Sequence, residues 1–173
     1  MGSEMCIRDR NTASVTSFAN MFSNAAAFNQ PIGSWNTSSA NTISNMFMGN
    51  TVFNQSLSGW HSPPISVTSN IVQMVGVFNG ASAFNGDIST WDTSSVVNMN
   101  SIFNEASSFN SPVNFNNDGM GAWDTSNVVV MQNVFREADS FNQPIGDWKT
   151  QSVTNMINMF QLNDAFNLSL IHI

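Results

Sequence analysis

Apolar residues recur along this chain with a period of about 25 residues, longer than one helix or strand produces. Trp35, Trp60, Trp91, Trp123 and Trp148 mark the period, at spacings of 25, 31, 32 and 25 residues. Within each unit a Phe is followed six residues later by Phe-Asn. These pairs are Phe22/Phe28, Phe47/Phe53, Phe78/Phe84, Phe103/Phe109, Phe135/Phe141 and Phe160/Phe166. Twelve of the fourteen phenylalanines fall in these two columns, so six units are represented. Inside a unit the apolar positions step by threes, as in Val153, Met156, Met159-Phe160 and Phe166. Pro and Gly interrupt the units too often for one long helix. The pattern predicts a short strand centred on the Trp, with Trp and Thr inward. A compact helical or 3-10 arm should follow, from the methionine column (Met99, Met131, Met156) to the second Phe.

Ile145 to Val153 follows the L-x-x-L-x-L-x-x-N/C-x-L spacing of leucine-rich repeats, as do Ile32 to Ala40 and Ile88 to Val96. The fold expected is therefore an α/β repeat solenoid of leucine-rich-repeat type, with short parallel strands and helical or 3-10 arms. No unit can bury its aromatic face alone, so neighbouring units must stack. Two insertions lengthen the period, His61–Ser66 after a Trp and Asn114–Gly121 before Trp123, and both read as loops at strand ends. Residues 11–167 should thus form a single repeat domain.

The terminal segments read differently. Back-translated as CTG TCT CTT ATA CAC ATC, Leu168–Ile173 has an informative reverse complement. Read one base on, it encodes Met5-Cys6-Ile7-Arg8-Asp9 and the start of Arg10. One DNA element inverted at both ends resembles the transposase adaptor of a shotgun library. Residues 1–10 and 168–173 are accordingly expected to be adaptor-derived, with the remainder a metagenomic fragment truncated at both ends.

Composition narrows the chemistry. Lys and Arg total 4 against 11 Asp and Glu, a net charge of −7. Nucleic acid is an unsuitable partner, because phosphate recognition needs a basic footprint. No apolar run reaches the length of a transmembrane helix. The sole cysteine, Cys6, lies in the adaptor segment, which removes disulfides, thiolate metal sites and cysteine nucleophiles from the repeat domain. His61 has no cysteine partner, and no Gly-x-Ser-x-Gly sets a nucleophile. Asn114-x-Asn116-x-Asp118-Gly119 departs from a calcium loop at its first and twelfth positions. Asn36-Thr37-Ser38 and Asn54-Gln55-Ser56 are formal glycosylation sequons in a chain with 26 Asn and 25 Ser, where chance supplies them. No catalytic residue, metal or cofactor is expected.

The segment Phe28-Asn29-Gln30-Pro31-Ile32-Gly33-Ser34-Trp35-Asn36-Thr37-Ser38-Ser39 resembles the BspA-like leucine-rich-repeat surface proteins, including those of mycoplasma lipoproteins. Phe141–Trp148 and Val153–Phe160 repeat the likeness, which extends over nearly all of residues 11–167. The resemblance implies a secreted or surface-anchored, non-enzymatic protein concerned with adhesion. The expected function is an interaction module binding a protein or glycan over an extended repeat face. A stalk or envelope spacer is the alternative, and a repeat appendage of a larger enzyme comes after it.

Two sets of residues are singled out. Asn29, Asn54, Asn85, Asn110 and Asn142 follow the second Phe and, with the Trp column, are expected to be structural, each amide satisfying backbone groups. Residues flanking an inward Trp point outward, which places Asp92, Asp124 and Asp147 in one cluster. His61 and Lys149 lie beside it, and Phe115 and Met120 form its rim. That acidic patch is the candidate binding surface for a basic partner or a weakly held divalent cation.

Overall fold

A computed structural model describes residues 10–60, 71–113 and 123–168. Six units lie one upon another as tiers, each contributing one Phe pair to a shared interior. Each junction between tiers carries one isolated parallel bridge: Ser17 to Thr42, Thr42 to Gln73, Gln73 to Asn98, Asn98 to Val130, and Val130 to Asn155.

This is not the expected α/β solenoid. Among the described residues no strand extends beyond an isolated bridge, no sheet forms, and the only helix is one 3-10 turn at Ser58–Trp60. The bridge row also lies after the Trp rather than on it, seven residues on in the case of Trp91 and Asn98. What replaces strand and arm is a succession of tight turns. The amides of Trp35, Trp91 and Trp148 bond the carbonyls of Ile32, Ile88 and Ile145. The next turn follows at once, with Ala40, Val96 and Val128 bonding Thr37, Thr93 and Thr125. Asn36, Asp92 and Asp124 reinforce it, their side-chain oxygens accepting the amides of Ser38, Ser94 and Ser126 at 2.9 Å. These Asx turns consume the amides a strand ladder would use, so no strand can form around the Trp.

The expected helical arm fails for a related reason. Positive φ angles recur two residues before and two after the first Phe of each pair. The first column is Asn20, Asn45, Gly76, Ser101, Asn133 and Asn158; the second is Asn24, Gly49, Gly80, Glu105, Glu137 and Leu162. In the second, each residue is third in a hydrogen-bonded turn, as when Ala81 N–H donates to Phe78 O around Gly80. That is the pattern of a type II turn, which selects Gly or Asn at its third position. Left-handed residues two turns apart forbid a continuous right-handed helix.

Alternation of the amides then joins the tiers. Phe18, Asn20, Phe22 and Asn24 donate to Thr42, Ser44, Met46 and Met48 of the next tier, while Met21, Ser23 and Ala25 donate within their own turns. The junctions above repeat this arrangement, as in Met131, Asn133, Phe135 and Glu137 donating to Asn155, Ile157, Met159 and Gln161. Backbone polarity is thus satisfied along the stack without regular secondary structure.

The interior is aromatic. Rings of the first Phe column stack with centroids 5.7 Å apart from Phe22 to Phe47 and 5.5 Å from Phe47 to Phe78. Within a tier the pair is closer, 3.8 Å for Phe78 and Phe84. Trp60, Trp91, Trp123 and Trp148 form a parallel column, with interplanar angles of 3°, 9° and 1°. Each such pair adds about 0.5–1.5 kcal/mol beyond its apolar burial.

Candidate interaction surface

The structure places the two sets of singled-out residues on different parts of the stack. The tryptophans are interior: Trp60 and Trp91 are fully buried and Trp35, the most accessible, is 4% exposed. Their indole N–H groups donate across tiers, from Trp60 to Ile32 O, Trp91 to Leu57 O, Trp123 to Ile88 O and Trp148 to Val113 O, at 2.8–3.2 Å. Threonines beside them do the same, Thr93 Oγ1 donating to Asp124 O and Thr125 Oγ1 to Lys149 O, both at 3.0 Å.

The asparagines form a ladder at the surface. Asn29 Oδ1 accepts the Asn54 amide, Asn54 that of Asn85, Asn85 that of Asn110, Asn110 that of Asn142, and Asn142 that of Asn167, at 2.8–3.2 Å. Asn85 Oδ1 also accepts the hydroxyl of Ser111 at 3.1 Å. Asn85→Ala is expected to cost about 1–2 kcal/mol by leaving the Asn110 amide unpaired, whereas Asn85→Asp, which keeps the acceptor, loses much less. Urea denaturation of both variants measures the difference. Equal losses would show that the ladder contributes through packing alone.

The proposed acidic patch is only partly assembled. Asp92 and Asp124 direct one carboxylate oxygen each onto a backbone amide in their Asx turns. Lys149 Nζ lies 3.7 Å from Asp124 Oδ1, and Asp147 is exposed. His61, Phe115 and Met120 lie outside the described residues. Among the described residues no group of three His, Cys, Asp or Glu side chains is placed to hold a metal ion. A second acidic edge gathers Glu105, Glu137, Asp139 and Asp164 around a surface hollow of about 460 Å³. Arg136 pairs there with Glu105 at 3.4 Å and with Glu137. Such half-exposed ion pairs contribute little to stability.

A different surface emerges once the tier register is known. Thr16, Asn41, Val72, Val97, Val129 and Thr154 form one continuous outer row, linked by amide-to-carbonyl bonds from tier to tier. The bridge row runs beside it: Ser17, Thr42, Gln73, Asn98, Val130 and Asn155. Two residues further along each chain segment stand Ala19, Ser44, Val75, Asn100, Gln132 and Ile157, all at least half-exposed or intermediate in burial. None of these eighteen positions is charged. Val72 is 40% exposed and Val97 36%, so apolar side chains face solvent at the centre of the face, surrounded by amides and hydroxyls.

A sequence model described as Mycoplasma protein of unknown function, DUF285, matches residues 4–67, 64–117 and 113–172 in tandem. The chain belongs to the DUF285 family. Each match takes in two Phe pairs, so the family unit spans two tiers of the stack. The matches meet at residues 64–67 and 113–117, within or beside the two insertions that lengthen the period. No curated protein matches this DUF285 chain significantly. No helix among its described residues is long and apolar enough to cross a membrane.

Proposed function

We propose that this DUF285 chain is a non-enzymatic interaction module of a cell-surface or secreted protein, binding a protein or glycan across the uncharged lateral face. The observation that carries the reading is the charge-free run of eighteen outward positions over six tiers. Burying such a face against a partner desolvates no ion, and its amides and hydroxyls match the hydrogen-bonding groups of sugars and extended peptides. The exposed valines supply an apolar centre within a polar rim, the usual anatomy of an interface. The F-N-Q-P-I-G-x-W units resemble those of the BspA-like surface proteins, which supports a place at the cell surface.

The test uses Val97→Lys combined with Val129→Lys, both on the outer row and neither in the aromatic interior. Binding of labelled protein is measured on a glycan array and on intact eukaryotic cells, with Asp92→Asn plus Asp124→Asn as the opposing arm. The lysine pair is expected to weaken binding at least tenfold, while the Asp pair leaves it unchanged. Loss confined to the Asp pair would move the surface to the Trp-flanking patch, and binding by neither parent nor variants would remove the proposal.

A further inference from the structure

The tripeptide Phe-Asn-Gly occurs twice in one tier, at Phe78-Asn79-Gly80 and at Phe84-Asn85-Gly86. Asparagine is a labile residue, and most so before glycine, where no Cβ shields the following amide nitrogen from the asparagine side chain. Among the ladder asparagines only Asn85 is followed by glycine; the others precede Gln30, Gln55, Ser111, Gln143 and Leu168. Packing accounts for the exception. A Cβ on Gly86 would stand 2.2 Å from the Gln55 carbonyl oxygen, so this junction selects glycine.

The two pairs share a sequence but not their surroundings. Gly80 N–H donates to Asn104 O at 2.7 Å, so its nitrogen is engaged. Among the described residues no acceptor meets the Gly86 amide or Asn85 Nδ2. Asn85 is exposed to water, whereas Asn79 is half-buried and its Oδ1 accepts from Nδ2 of the buried Asn104 at 2.9 Å. Asn85 Oδ1 takes two donors from the next tier, the Asn110 N–H at 2.9 Å and the Ser111 hydroxyl at 3.1 Å. Both draw electron density from Cγ and stand where negative charge gathers when that carbon is attacked.

We propose that Asn85-Gly86 is a site of spontaneous backbone modification, reacting with water alone, while Asn79-Gly80 is protected by the fold. The Gly86 nitrogen, deprotonated by hydroxide, forms a bond to Asn85 Cγ, and the negative charge passes to Oδ1 between its two donors. The Cγ–Nδ2 bond then breaks, and ammonia leaves with a proton taken from water, which regenerates the hydroxide. The product is a five-membered succinimide. Water reopens the ring on one side to aspartate and on the other to isoaspartate. In sum one water is consumed and one ammonia released, with no oxidation or reduction. The aspartate product keeps an acceptor for the Asn110 amide. The isoaspartate product runs the main chain through Cγ, lengthens it by one methylene and moves the carboxylate to Cα, so this rung of the ladder is lost. Each product also adds a negative charge to the asparagine edge, and the fraction converted records the age of the molecule.

The shared tripeptide supplies the control. The folded chain and the guanidinium-unfolded chain are incubated in mildly alkaline, heavy-oxygen water, and label uptake at each asparagine is followed by peptide mass spectrometry. A methyltransferase specific for isoaspartate reads the rearranged product. In the folded chain Asn85 should react about tenfold faster than Asn79, the rate equivalent of the hydrogen bond that engages the Gly80 amide. In guanidinium the two identical tripeptides lose their surroundings, and the difference should vanish. Ser111→Ala removes one donor from Oδ1 and should slow Asn85 severalfold without changing Asn79. The comparison of the two asparagines needs no variant, so it stands whether or not that substitution folds. Equal rates in the folded chain, a faster Asn79, or a difference that survives unfolding would overturn the proposal, as would a folded Ser111→Ala variant reacting at the parent's rate.

Discussion

Trp91→Ala is expected to destabilise the chain by about 3–5 kcal/mol, the range for deleting a fully buried large aromatic side chain. Trp91 is 0% exposed and stacks between Trp60 at 5.7 Å and Trp123 at 6.3 Å, with Phe78 against its side at 6.0 Å. Its removal opens a cavity in a central tier, where both neighbours are held by further tiers and cannot collapse inward. The Leu57 carbonyl also loses the indole N–H that reaches it at 3.2 Å. Trp91→Phe separates the two contributions, since it retains most of the apolar contact and forfeits only the hydrogen bond and the outer ring. Urea titration of both variants should place the phenylalanine form between parent and alanine. An alanine variant within about 1 kcal/mol of the parent, the net worth of a single hydrogen bond, would mean that the Trp column does not carry the interior.

Gly86→Ala should cost about 2–3 kcal/mol, although it adds a single methyl group. A Cβ built on Gly86 would stand 2.2 Å from the Gln55 carbonyl oxygen, 2.8 Å from its carbon and 2.9 Å from Phe84 Cε2. Two of those atoms are backbone of the tier below, so no rotamer change relieves the clash. The tiers must separate locally, which strains the neighbouring Asn54-to-Asn85 rung of the ladder. Gly146 is the internal control, because nothing lies within 4 Å of a Cβ there, and Gly146→Ala should be close to neutral. Thermal denaturation of the two alanine variants side by side checks this; equal stabilities would show that tier spacing is not limited by backbone contact at Gly86.

Much of this architecture is legible in the order of residues. A Trp and two Phe recurring at fixed offsets cannot each be buried in a unit of about 25 residues, so units must share one interior. The asparagine after the second Phe recurs in register, and register is what a ladder from one tier to the next requires. The strand and the helical arm expected from the sequence are absent for a specific reason. The apolar spacing of Ile145 to Val153 matches a leucine-rich repeat, but apolar spacing reports which side chains face inward and says little of the backbone path between them. The turn chemistry was present, in Asn20, Asn45, Gly76, Asn133 and Asn158 before the Phe and in Asn24, Gly49 and Gly80 after it. Ser101, Glu105, Glu137 and Leu162 occupy the same left-handed positions without being turn formers, and they obscure the columns.

The binding face illustrates the boundary between the two levels. An alternating strand would put the outward surface beside the Trp, at Asp92, Asp124 and Asp147, because in a strand the neighbours of a buried residue are exposed. The backbone turns there instead, and two of those carboxylates serve the turn. Val72, Val97 and Val129 are separated by 25 and 32 residues and each follows a buried aliphatic residue, Ile71, Val96 and Val128, so composition alone cannot distinguish Val97 from Val96. The sequence by itself determined the repeat, the aromatic interior and the scarcity of charge, since these depend only on residue type and interval. The tertiary structure alone decided the path of the backbone and the identity of the outer rows. Both follow from which amides are taken up within a turn and which are left to reach the next tier.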